Sequence, residues 1–148
     1  MTIRCEIVSQ DRKVFEGDVD IVVLPGADGE MGILPHHAPL LTTLKFGVIT
    51  VRTKTDEQNF TVAGGMAEVQ PQIVTVLADA AENVAEIDTV RAESARQRAQ
   101  EALANLDKSG GDMDAYLDLE AALRRSNLRL DAAKRFRTAR RSTVASEE

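Results

Sequence analysis

The sequence predicts an α+β fold in two parts: an N-terminal antiparallel β-sandwich followed by a C-terminal antiparallel two-helix hairpin. All four prolines and seven of the nine glycines fall before residue 87. In the same region Val, Ile and Thr recur in short runs between turn signals, as sandwiches and barrels require. Beyond it proline is absent, alanine and leucine take over, and the apolar period lengthens from two to about three and a half. The divisions that follow are 1–86 for the sandwich, 87–141 for the hairpin and 142–148 for a frayed tail.

In chain order, Thr2 to Val8 alternates with Ile3, Cys5 and Ile7 on one face, the pattern of a half-buried strand. Asp18 to Leu24, Val48 to Thr53, Asn59 to Ala63 and Ile73 to Ala78 read as further strands. Gly26, Gly29 and Gly32 give the backbone freedom that tight connections need, with Gly29 and Gly32 bracketing a turn. Lys54-Thr55-Asp56-Glu57 reads as a hairpin loop, and Gly64-Gly65 marks a bulge or a close backbone approach. Asp88 caps the first predicted helix, whose Ala92, Ala95, Ala99, Ala102 and Leu106 step by 3, 4, 3 and 4. Gly110-Gly111 breaks it, and Asp112 or Asp114 caps a second helix. There Tyr116, Leu119, Leu123, Ser126, Leu130 and Ala133 repeat the stepping. Two such helices joined by a glycine turn form an antiparallel hairpin.

Composition narrows the function. At 148 residues and 43% hydrophobic the chain holds one self-sufficient core with an appendage. A net charge of −6 repels nucleic acid and anionic membrane, and only four Phe, one Tyr and no Trp are present to stack on bases. One cysteine makes neither an internal disulfide nor a cysteine-based zinc cluster, and the adjacent pair His36-His37 is too weak a pattern for a metal site. The start shows no secretory signal and no apolar run approaches a membrane span, so the chain reads as cytoplasmic. Charge is partitioned: net −7 over 1–86, 0 over 87–111 and +1 over 112–148, with eight Arg or Lys against Asp131 alone in 124–141. An alanine seam buries little area, so the hairpin needs a docking partner or the sandwich to hold it. Two alternatives follow: a hairpin fixed permanently against the sandwich, or two docking places of similar free energy between which a ligand chooses.

Four strings in register carry a family resemblance: GEMGILPHHAPLL (Gly29 to Leu41), AGGMAEVQP (Ala63 to Pro71), VTVLADAAE (Val74 to Glu82) and IDTVRA (Ile87 to Ala92). Over residues 2 to about 136 the chain resembles the epsilon subunit of bacterial proton-translocating ATP synthase. The resemblance implies a non-catalytic subunit of the rotor. It implies a sandwich that grips the gamma subunit beside the c ring, with Glu30 and His37 at the rotor contact. It also implies a hairpin that extends to block hydrolysis, meeting the alpha and beta catalytic subunits transiently. Membrane association is then only through the complex, on the cytoplasmic side of a bacterial membrane, with the isolated subunit a monomer that binds no nucleic acid. His36 stands where the family usually has glycine.

Some family members bind free ATP through the I/L-D-x-x-R-A motif. Matched position by position, the resemblance implies an ATP site of Glu82, Ile87, Asp88, Arg91, Ala92, Arg98, Arg125 and Arg129. The resemblance implies that no cofactor is required and that ATP is a regulatory ligand. The chemistry suits the residues: a carboxylate accepts from adenine or ribose, and guanidinium groups grip phosphate in a bidentate way. Asp88 is equally an ordinary N-cap and the arginines equally a solvated face. GxxxxGK[ST] is absent, so hydrolysis is not expected. The competing architecture is a ligand-binding β-sandwich with a helical oligomerisation arm, which would be a stable homodimer.

Overall fold

The computed structural model describes residues 1–109 and 112–145, with side chains to 106 and from 112 to 137. It divides into two compact units, Met1–Glu86 and Ile87–Glu148. The first holds eight strands: β1 (Ile3–Val8), β2 (Lys13–Val19), β3 (Ile21–Gly26), β4 (Gly29–Ile33), β5 (Leu40–Arg52), β6 (Glu57–Val69), β7 (Ile73–Ala78) and β8 (Ala81–Asn83), then a 3₁₀ turn over Val84–Glu86. The strands hydrogen-bond in the order β2-β1-β7-β6-β5-β3-β4, with β8 also on β6.

The 13-residue strands β5 and β6 make this one ladder into two layers. The second half of β6 pairs with β7 through Gly65↔Ala78 to Val69↔Val74, and its first half pairs with β8 through Phe60↔Asn83 to Val62↔Ala81. Between the halves, Gly64 and Gly65 adopt φ of 88° and 131°. A Cβ on Gly65 would lie 2.3 Å from the Leu77 carbonyl oxygen, so only glycine lets the two backbones approach. Phe15 on β2 lies three strands from β6 along the ladder, roughly 14 Å at the usual strand spacing. Its ring nevertheless sits 5.5 Å from that of Phe60 on β6, so the sheet folds back across a shared core. Ile3, Cys5, Ile7, Val22, Leu24, Ile49, Phe60, Val62, Val74 and Val76 fill that core.

Several expectations are corrected. The sheet is not wholly antiparallel, because β1 and β7 pair in parallel from Arg4↔Ile73 to Val8↔Leu77. Asp18 to Leu24 is two strands, broken at Asp20, whose N–H bonds the Arg52 carbonyl at 2.8 Å. The preceding strand β2 is an edge strand rich in charge. Arg4 on β1 reaches Glu16 at 2.7 Å and Asp18 at 3.5 Å, and Lys13 reaches Glu16 at 2.8 Å. Hydrogen bonds from Lys13 and Arg4 hold the Glu16 carboxyl down at about 2. Gly29 and Gly32 do not bracket a turn. They lie in β4, paired with Gly26 and Val23. Residues 48–52 are the C-terminal end of the longer strand β5, with Thr53 outside it, and 59–63 lie in the first half of the longer strand β6.

The second unit pairs α1 (Thr89–Ser109) with α2 (Met113–Ala145). Asp88 caps α1, its Oδ1 accepting the Arg91 N–H at 3.0 Å, and Asp112 caps α2 through the Asp114 N–H at 3.1 Å. Of the expected seam, Ala92, Ala99, Ser126 and Ala133 are buried, joined by Ala132, whereas Tyr116 is exposed. The Ser126 hydroxyl tolerates burial because it donates to the Ala122 carbonyl at 3.0 Å. The expected Gly110-Gly111 break lies outside the described residues. So do residues 146–148 of the expected frayed tail, while 142–145 continue α2.

Candidate functional site

Two surfaces collect the residues singled out by sequence. On the first unit, Glu30 is exposed in edge strand β4, opposite Pro25. His37 lies in the β4–β5 connection, where its N–H donates to the Leu34 carbonyl at 3.2 Å and its Nδ1 bonds the Ala38 carbonyl at 2.8 Å. The connection is pinned by the His36 N–H, which donates to the Pro71 carbonyl at 2.9 Å. His36 has φ 64°, the one left-handed non-glycine among the described residues. That conformation is one that glycine adopts freely and that histidine tolerates better than a β-branched residue does.

Of the apolar residues in the string Gly29 to Leu41, Ile33 is buried while Leu34, Leu40 and Leu41 are exposed, and the exposed area continues onto strands that sequence reasoning did not connect with it. Val74, Val76 and Ala78 point into the core, so Leu77 points out, and Ala67 and Val69 likewise turn Met66 out. Met66 and Leu77 pair directly, Thr43 pairs with Met66, and Leu41 pairs with Glu68 in the adjoining row. Leu41 is 64% exposed, Met66 43% and Leu77 59%, an apolar patch on the outer face of one layer. Strand alternation could have revealed the outward positions of Met66 and Leu77, but not that nothing in the first unit covers them.

The proposed nucleotide ligands divide between the units. Glu82 is on β8, where its carbonyl accepts the Thr61 hydroxyl at 3.4 Å; Ile87 and Ala92 are buried in the second unit. Asp88 spends one carboxylate oxygen on the cap. Arg91, Arg98 and Arg125 are exposed and Arg129 is half-buried.

Two observations fix the register of the hairpin. The Arg137 guanidinium donates to the Ile87 carbonyl at 2.5 Å, and the buried small residues match in height, Ala92 with Ala132 and Ala133, Ala99 with Ser126. Arg91 and Arg98 each precede a seam alanine by one residue, as Arg125 precedes Ser126. In antiparallel helices facing each other, that preceding position turns to the same side of both. Arg129 is one turn from Arg125 on that side. The four arginines therefore edge one side of the hairpin, spread over about 10 Å along the axis. Among the described residues no group of three His, Cys, Asp or Glu is placed to hold a metal ion. No helix among them is long and apolar enough to cross a membrane.

A β-sandwich with an exposed apolar face, followed by a helical hairpin edged with arginine, defines the class of protein. Comparison with known proteins makes it particular. Residues 2–84 match the family described as ATP synthase, Delta/Epsilon chain, beta-sandwich domain, and residues 85–134 match its long alpha-helix domain. The ATP synthase epsilon chain of Dehalococcoides mccartyi is 46% identical over 135 residues, covering 91% of this chain and 94% of the relative. That of Stenotrophomonas maltophilia is 42% identical over 137 residues, covering 92% and 95%. A chain in the cryo-EM structure of the Euglena gracilis mitochondrial ATP synthase, which includes its c-ring, shares the fold. Its TM-score is 0.68 at 22% identity, over 83% of this chain and 76% of that one. The chain belongs to the ATP synthase epsilon-chain family.

Proposed function

We propose that this subunit is a non-catalytic part of the rotor, in which the sandwich docks on gamma beside the c ring and the hairpin restrains ATP hydrolysis. The complex then holds it peripherally on the cytoplasmic side of a bacterial membrane. The apolar face at Leu41, Met66 and Leu77 supports docking, because exposed contiguous apolar area on a sheet marks a protein contact. Glu30 and His37 serve the same contact, from the edge strand and from the stiff connection that follows it.

The observation that carries the regulatory half is the single arginine-lined edge of the hairpin. It exists only while α1 and α2 are paired, since Arg91 and Arg98 come from one helix and Arg125 and Arg129 from the other. A polyanion such as the triphosphate of ATP binds that edge when the hairpin is closed, with Asp88 toward the nucleoside. Ligand at a hundredfold excess over Kd stabilises the closed form by about 2.7 kcal/mol. When ATP falls, the hairpin opens and the basic stretch from Arg124 meets an acidic surface on the alpha and beta subunits, with complementary charge orienting the encounter.

Calorimetry of the isolated chain with ATP tests the site. Heat of binding is expected, with at least a tenfold loss of affinity in Arg98→Ala and in Arg125→Ala, about 1.4 kcal/mol each. Unchanged binding in both variants would remove the arginine edge as the ligand site.

A further inference from the structure

The open end of the hairpin, opposite the connection between its helices, is closed by a contact that the nucleotide reading does not use. Ile87 is 3% exposed and immediately precedes the cap of α1. A helix continued backward by one residue would give the Ile87 carbonyl the Arg91 N–H as its partner. Asp88 takes that N–H for itself at 3.0 Å, and the Ala92 N–H goes to the Asp88 carbonyl at 3.0 Å. The buried Ile87 carbonyl is left needing a donor from elsewhere. Arg137, fifty residues on, supplies it at 2.5 Å.

The location matters as much as the bond. Ile87 lies 22 residues before the end of α1 at Ser109, and Arg137 lies 24 residues after the start of α2 at Met113. At 1.5 Å per residue these are nearly equal heights, about 33 and 36 Å. A cation beside a helix N-terminus is unfavourable to the helix dipole, and the hydrogen bond to the carbonyl that the Asp88 cap leaves over offsets that cost. We propose that Arg137 is a latch: its bond to the Ile87 carbonyl holds the free ends of α1 and α2 together, and the Asp88 cap creates the acceptor it needs. Any separation of the helices from the open end breaks this bond first. A hydrogen bond from a charged donor to a buried carbonyl favours the latched form by about tenfold.

The test is hydrogen exchange on the full-length chain, read at the amides of 89–95, with Arg137→Gln, Arg137→Lys and Arg135→Gln beside the parent. Arg135 is exposed two residues before Arg137 and lies over the Phe136 ring at 5.0 Å, so it controls for charge. Exchange in 89–95 is expected to quicken about tenfold in Arg137→Gln. It should stay within about threefold of the parent in Arg137→Lys, which keeps a charged donor. Arg135→Gln and the strand amides should match the parent. Exchange at 89–95 that is the same in parent and Arg137→Gln overturns the latch, as does equal loosening in Arg137→Lys and Arg137→Gln. A second arm rests on the regulatory reading above: in the assembled synthase, Arg137→Gln should lower ATP hydrolysis at a given ATP concentration. Faster exchange with unchanged hydrolysis keeps the latch and sinks that reading.

Discussion

At Gly65 the backbone of β6 comes so close to β7 that any side chain collides with the Leu77 carbonyl, and φ there is 131°. Gly65→Ala is therefore expected to destabilise the sandwich by about 3 kcal/mol, lowering its melting temperature by roughly 10 °C in calorimetry. Sequence reading recognised the glycine pair as a bulge or close approach, because two adjacent glycines inside a strand pattern have few other uses. Cys5 is the other residue whose surroundings give a measurable consequence. Burial among Ile3, Ile7 and the rest of the core pushes its thiol up to about 12 from an ordinary 9.0. The folded state thus keeps a proton that the unfolded chain begins to lose near pH 9. Stability from this group is whole below pH 9 and falls as pH rises toward 12. Iodoacetamide at pH 8 should leave the native thiol unmodified and label it fully in denaturant; rapid native labelling would contradict the packing.

The strands that were hardest to read were those whose own propensities are poor. GEMGI in β4 holds two glycines, and β2 is a run of Lys, Glu, Gly and Asp between apolar residues. Both are edge strands, held by the neighbour they pair with and, in β2, by the Arg4–Glu16 ion pair at 2.7 Å. Pairing of that kind overrides local preference and leaves no trace in the strand's own composition. The helices were legible for the opposite reason. The seam at Ala92, Ala99, Ser126 and Ala133 and the caps at Asp88 and Asp112 are local signals, and the structure uses each of them. The outer face of β5, β6 and β7 lies between these cases, since alternation gives the direction of Met66 and Leu77 but not their partner. If that face docks on the stalk, Met66→Asp should leave the unfolding free energy of the isolated chain within about 0.5 kcal/mol of the parent. Binding to purified gamma should weaken at least tenfold, because a desolvated carboxylate would face an apolar contact. Undiminished binding would move the docking surface elsewhere.

Across the chain, charge and packing divide the labour. The first unit carries net −7 and a core of Ile, Val and Phe, while residues 112–148 are net positive and the hairpin is joined through alanine and serine. Small seam residues bring the helices close yet bury little area, which is the feature the proposed ligand and latch would act on. The large core of the sandwich has no such seam. On the proposed reading, a rigid anchor bearing a weakly joined pair of helices would report a ligand concentration to a larger machine without chemistry of its own. The disulfide formed by Ala99→Cys and Ser126→Cys, in a Cys5→Ala background, would hold the seam shut in the assembled synthase. With that bond oxidised, ATP hydrolysis should rise to the level of a complex lacking the hairpin, and reduction should restore the restraint. Hydrolysis that stays fully restrained with the seam locked would show that the hairpin need not open to inhibit.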